Sequence, residues 1–111
     1  MSIFIERLSK QYQKELSKIL TQEAKMDHLN SVTITEVRIT NDLSFANIYY
    51  ICPDMVREQV KTNLEHSKGY LRGQLASRIS SRKAPELIFK YDEALEYGNH
   101  INELINEINK K

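Results

Sequence analysis

Residues 32–52 read VTITEVRITNDLSFANIYYIC, and this stretch decides the fold. The run 32–40 is rich in β-branched residues, as strands are. Asn41 and Asp42 supply turn chemistry, and 44–52 form a second apolar run, so the stretch predicts an antiparallel hairpin. The alternation inside the first run changes phase. Val32 and Ile34 share one parity and Val37 and Ile39 the other, which a bulge near Thr35 and Glu36 would reconcile. In the second run Tyr49 and Tyr50 point to opposite faces, so one is expected in the core and at most one is accessible.

Working outward, residues 3–22 predict a helix. Ile3, Phe4, Leu8, Tyr12, Leu16, Ile19 and Leu20 repeat at three- and four-residue spacing, and Ser2 can cap the start. Lys25 to Ser31 has turn chemistry and no periodicity. Pro53 ends the second strand and pre-sets a helix start. Helical spacing then runs through Met55, Val56, Val60 and Leu64, and resumes at Leu71, Leu75 and Ile79. Between them Ser67, Lys68 and Gly69 predict an interhelical kink. Pro85 opens a third strand, with Leu87, Phe89 and Tyr91 on one face and Ile88 and Lys90 on the other. Ile101, Leu104, Ile105 and Ile108 mark a last helix. The order is α-β-β-α-kink-α-β with a C-terminal helix, one α+β domain over residues 1–111.

The totals exclude several classes. The chain has 111 residues, 41% hydrophobic and 28% charged, which fits one globular domain rather than disorder. No apolar run approaches the roughly 18 residues of a membrane span, and the start MSIFIERLSK does not read as a signal peptide. The single cysteine, Cys52, forbids an internal disulfide and fits a reducing cytoplasm. It ends an apolar strand and reads as a small buried hydrophobe. His28, His66 and His100 lack metal-ligand spacing, so no metal or cofactor is expected. Asp92, Glu93 and Glu96 read as acids favoured at a helix start rather than an acid–base pair, and no catalytic residues are expected.

The net charge of +1 conceals a polarised chain. Residues 26–60 and 84–111 each carry a net −3, whereas 61–83 carry +5. From His66 to Lys83 there are five Lys and Arg and no carboxylate, a block asymmetry typical of a nucleic-acid site. Lys68 and Arg72 point differently from Arg78 and Arg82, so a continuous surface needs Lys10 and Lys14 of the first helix. The expected RNA contacts are Lys61, Lys68, Arg72, Arg78, Arg82 and Lys83, flanked by Arg7, Lys10 and Lys14. Reversing Lys68 and Arg72 to Glu is expected to weaken binding and leave melting nearly unchanged.

An α-β-β-α-α-β order with a basic helical pair resembles a type II KH domain, with Ser67-Lys68-Gly69 in place of the GxxG loop. On that reading Ser67 caps a second helix whose free N–H groups face phosphate. More closely, the chain is similar to the ribosome-binding factor A family. The likeness rests on Arg7-Leu8, Glu15-Leu16 and Ile19-Leu20, on VTITEV (32–37), and on Asp42-Leu43-Ser44 with Ala46 to Tyr49. It continues through Gly69-Tyr70-Leu71-Arg72, Leu75-Ala76, Arg78, Arg82, Pro85-Glu86-Leu87, Phe89 and Tyr91-Asp92. The resemblance implies a KH-like fold with an Ala-x-Gly kink, here with Ser67 in the alanine position. It implies a monomer that binds the free, immature 30S subunit and 16S rRNA and supports late maturation, rRNA processing and growth in the cold, without catalytic chemistry. Other assembly factors or a GTPase are further expected partners. The alternative reading is a protein-interaction module that uses the sheet face or the acidic last helix, with RNA binding incidental.

Overall fold

The computed structural model describes residues 3–23 and 25–94. Helix α1, Ile3–Lys18, runs on into a π turn, Ile19–Glu23. Strands β1, Thr33–Ile39, and β2, Phe45–Ile51, follow, then helix α2, Arg57–Arg78, and strand β3, Glu86–Tyr91. The strands form one sheet in the order β1-β2-β3, antiparallel between β1 and β2 and parallel between β2 and β3. Parallel pairing demands a crossover, and α2 supplies it. Helix α1 lies against β1, α2 lies against β3, and the two helices touch. The expected cap at Ser2 and the C-terminal helix through Ile101 to Ile108 lie outside the described residues.

The phase change in β1 is a real bulge. Register slips between Ile34 and Glu36 opposite Tyr50 and Tyr49, so Ile34, Val37 and Ile39 all reach the helices. They meet Ala46, Ile48 and Tyr50 of β2 and Leu87 of β3, with Phe89 and Tyr91 packed at the margin. Tyr50 is buried and meets Phe89 and Tyr91 edge-on, with ring centroids 6.4 and 5.5 Å apart. Tyr49 is therefore the accessible member of the pair, half-exposed between Arg38 and Lys90 on the other sheet face. Cys52 is half-buried against the core.

In α1 the buried set is Ile5, Leu8, Tyr12 and Leu16, continued by Ile19 and Leu20. Ile3 and Phe4 stay exposed, contrary to the expected apolar repeat. A stripe built only of four-residue steps drifts by about 40° per step, which carries Phe4 off the packed face. The three-residue step from Ile5 to Leu8 keeps Ile5 in phase. The segment after α1 is more ordered than its composition suggests. His28 takes a left-handed conformation, φ 69°, which turns the chain so that Leu29 is fully buried at the start of a 3-10 turn, Leu29–Ser31. Leu43, φ 62°, plays the same part in the hairpin. There Asp42 accepts from the Ser44 N–H at 3.0 Å and the Thr40 hydroxyl at 2.9 Å. The Ser44 N–H above all holds the Asp42 carboxyl below the usual range.

The expected kink is not an interruption. Helix α2 is one continuous α-helix from Arg57 to Arg78, passing through Ser67, Lys68 and Gly69. Neither described glycine of the helix has positive φ. Ser67 is buried on the packed side rather than capping a new helix. Val60, Leu64, Ser67, Leu71 and Leu75 form one unbroken buried stripe at four- and three-residue steps. A mid-helix glycine costs about 1 kcal/mol. Each buried leucine contributes roughly 1.5–3 kcal/mol, so the stripe decides the outcome.

Gly69 and Gly73 both face open space, and a methyl group added at either would meet nothing within 4 Å. Gly69→Ala and Gly73→Ala are each expected to raise stability by about 0.5–1 kcal/mol in urea denaturation, through helix propensity alone. A loss of stability on Gly69→Ala would mean that the helix is broken there.

Candidate nucleic-acid interface

The nine expected basic contacts divide into two groups. Three are engaged within the fold. Arg72 donates through Nε and Nη2 to the Ala84 carbonyl at 3.0 and 2.6 Å, fastening the α2–β3 connection. Arg78 reaches across to Glu23 at 2.5 Å and Glu15 at 3.7 Å, joining the end of α2 to α1 and its π turn. Lys68 pairs with Glu65 at 2.7 Å along one helix face. Phosphate contact by Arg72 or Arg78 therefore competes with structural bonds, and Arg72→Glu should cost stability as well as charge. That corrects the expectation of an unchanged melting curve.

The remaining side chains, Arg7, Lys10, Lys14, Lys61, Arg82 and Lys83, are exposed, and none has a hydrogen-bond or ion-pair partner among the described residues. Arg7, Lys10 and Lys14 follow steps of three and four on the side of α1 opposite its buried stripe. Arg82 and Lys83 sit in the α2–β3 connection, where a cleft of about 410 Å³ also takes in Phe4, Asn41, Asp42 and Leu43. Phe4 begins α1, so the connection adjoins the end of the helix nearest Arg7. The fold thus brings residues 82–83 to Phe4 at the start of the helix that carries Arg7, Lys10 and Lys14. Lys61 and Lys68 share a different side of α2 with Arg72. The exposed side chains without a partner among the nine are thus those of α1, the α2–β3 connection and Lys61.

The continuous α2 removes one expected anion site. There is no second helix start at Ser67–Gly69, so those N–H groups are spent on helical hydrogen bonds rather than on phosphate. His66 is exposed in mid-helix. Met26, Tyr70 and Lys25, none of them among the expected contacts, gather around it in a cleft. Tyr70 was visible in principle, as an aromatic residue off the apolar stripe beside Gly69.

Among the described residues no group of His, Cys, Asp and Glu could hold a metal, and no helix is long and apolar enough to cross a membrane. Asp92 accepts from Thr35 at 2.5 Å, and Glu93 pairs with Arg57, whose guanidinium lies 3.6 Å over the Tyr91 ring. These acids fasten the end of β3 to its neighbours.

The class so defined is a small α+β domain with a mixed three-stranded sheet, two helices and a basic outer surface. The sequence model of ribosome-binding factor A matches residues 5–105. Ribosome-binding factor A of Macrococcus caseolyticus is 41% identical over 99% of this chain and 98% of its own. That of Enterococcus faecalis is 40% identical over 94% and 92%. The chain belongs to the ribosome-binding factor A family. Its fold is that of the crystal structure of ribosome-binding factor A from Thermus thermophilus, with a TM-score of 0.69 at 24% identity, covering 78% of this chain and 94% of that one. A second set of T. thermophilus coordinates, fitted into a cryo-EM map of a 30S complex, aligns with a TM-score of 0.60 at 24% identity, covering 78% and 93%.

The Arg78 clamp carries a pH signature. The hydrogen bond from Arg78 first of all holds the Glu23 carboxyl below its ordinary value. A lowered folded pKa means that the unfolded chain binds more protons. The stabilisation is then complete above the ordinary glutamate value and disappears as pH falls through the lower, folded one. Arg78→Ala should lower Tm at about pH 7, and the gap to the parent should narrow toward about pH 3. A gap independent of pH would mean that Arg78 acts by packing alone.

Proposed function

We propose that the protein binds the free, immature 30S subunit through 16S rRNA and supports late small-subunit maturation, rRNA processing and growth in the cold, without catalysing a reaction. The observation that carries this reading is kinship with ribosome-binding factor A along almost the whole chain. The T. thermophilus relative placed in a 30S complex supports the choice of subunit. The domain is KH-like in its order of elements but meets RNA differently from a GxxG module. The uninterrupted α2 offers no backbone cradle, so electrostatic contact falls to Arg7, Lys10, Lys14, Arg82 and Lys83, with Lys61 and Lys68 at the side. Arg72 and Arg78 act mainly as fasteners of the scaffold. The protein works as a cytoplasmic monomer, and other assembly factors or a GTPase release it.

Phosphate contacts position a protein on RNA without reading sequence, so specificity comes from RNA shape and adjacent ribosomal surface. Each phosphate neutralised releases counterions, and binding weakens as salt rises. Lys10→Glu with Lys14→Glu, and separately Arg82→Glu with Lys83→Glu, should each weaken binding to purified 30S subunits by roughly tenfold or more and flatten the salt slope. Melting should change little, because none of the four side chains has a hydrogen-bond or ion-pair partner among the described residues. Salt-independent binding, or full affinity in both double variants, would contradict the proposal and favour a protein-interaction module.

A further inference from the structure

One cleft plays no part in the basic surface just described. It lies between the chain after α1 and the middle of α2, has a volume of about 370 Å³, and is lined by Glu23, Lys25, Met26, His66, Ser67 and Tyr70. That size falls in the roughly 300–1,000 Å³ range of pockets that take small organic groups. Its walls carry two of the few large apolar side chains the fold leaves exposed, Tyr70 at 51% and Met26 at 38%.

Ser67 is 8% exposed, and its hydroxyl has no hydrogen-bond partner among the described residues. No fully enclosed side-chain polar atom lacks a partner. The Ser67 oxygen must therefore open onto a surface, and the cleft it lines is that surface. A nearly buried hydroxyl that bonds to nothing in the fold is there open to a group that enters. Lys25 and His66 stand on the same lining. The acid, Glu23, is already neutralised by Arg78 at 2.5 Å.

We propose that this cleft holds one unpaired nucleobase of the bound RNA. The base stacks on Tyr70 beside Met26, its edge is read by the Ser67 hydroxyl, and Lys25 and His66 meet the adjoining phosphate. The chemistry matches on each count. An extruded base offers a flat apolar face to an aromatic ring and hydrogen-bonding edges to a buried hydroxyl, and it arrives with a negative charge. An apolar peptide side chain would leave Ser67 unsatisfied and make no use of the cations. The inference rests on the RNA-binding reading above and adds a site that recognises single strands.

The test titrates the full-length protein with the RNA hexamers A6, C6 and U6 and with a short RNA duplex. Affinity is read by fluorescence anisotropy and location by amide chemical shifts. The proposal expects shifts centred on Lys25, Met26, Ser67 and Tyr70, with single strands preferred to duplex. Tyr70→Ala should weaken hexamer binding roughly tenfold or more. Ser67→Ala should flatten the preference among the three hexamers by about threefold to tenfold. Both variants should melt no lower than the parent, because Tyr70 is exposed and the Ser67 hydroxyl bonds to nothing in the fold. Equal binding of duplex, unchanged affinity in Tyr70→Ala, or shifts confined to α1 would each overturn it, as would cleft shifts caused only by ribosomal proteins. If the parent and Tyr70→Ala bind 30S subunits alike, the base pocket fails and the proposed function stands. If the parent binds no 30S subunits, the function itself fails.

Discussion

The structure depends on the apolar stripe of α2. Val60, Leu64, Leu71 and Leu75 are all almost fully buried, and together they hold a helix of 22 residues across the sheet without a break. The parallel pairing of β2 with β3 requires a long crossover, and this helix provides it. Its end is held to α1 through Arg78, and its exit is held to the α2–β3 connection through Arg72. If the helix broke at Gly69, the outer half would lose Leu71 and Leu75 from the core, along with both fastenings.

A functional consequence follows from the same constraint. A continuous helix has no internal N-terminus, so it cannot offer backbone N–H groups to phosphate in mid-course. Exposed cations without a partner among the described residues lie on α1 and in the α2–β3 connection, and the crossover returns that connection to the start of α1 near Phe4. Opposite the basic surface, the sheet presents Tyr49 between Arg38 and Lys90, with the Arg38 guanidinium 2.8 Å from Glu36. That face is balanced in charge, and it does not extend the basic surface.

Much of this was legible in the residues. The phase slip between Ile34 and Val37 located the bulge, because a strand has a period of two and any extra residue shows as a change of parity. The alternation of Leu87, Phe89 and Tyr91 located β3. The likeness of residue groups along the chain already pointed to the family. What the residues did not show is that one helix runs through the expected kink. Ser67 and Gly69 are poor helix residues, yet their cost is small beside a packed stripe that continues on both sides of them. The roles of Arg72 and Arg78 were hidden for another reason. Their partners, Ala84, Glu15 and Glu23, lie 12, 63 and 55 positions away, and a charge count along the chain cannot tell a paired arginine from an available one. The cleft around Tyr70 was hidden similarly, since Lys25 and Met26 lie 40 or more positions before His66, Ser67 and Tyr70.

The central proposal is that this domain docks on the small ribosomal subunit before that subunit enters translation. Sedimentation of cell lysate through a sucrose gradient at low salt, with the protein followed by antibody, tests this most directly. The account predicts a peak on free 30S subunits, none on polysomes, and loss of the peak when Lys10, Lys14, Arg82 and Lys83 are all reversed to Glu. A protein that stays at the top of the gradient, or that sediments equally with translating ribosomes, would contradict it.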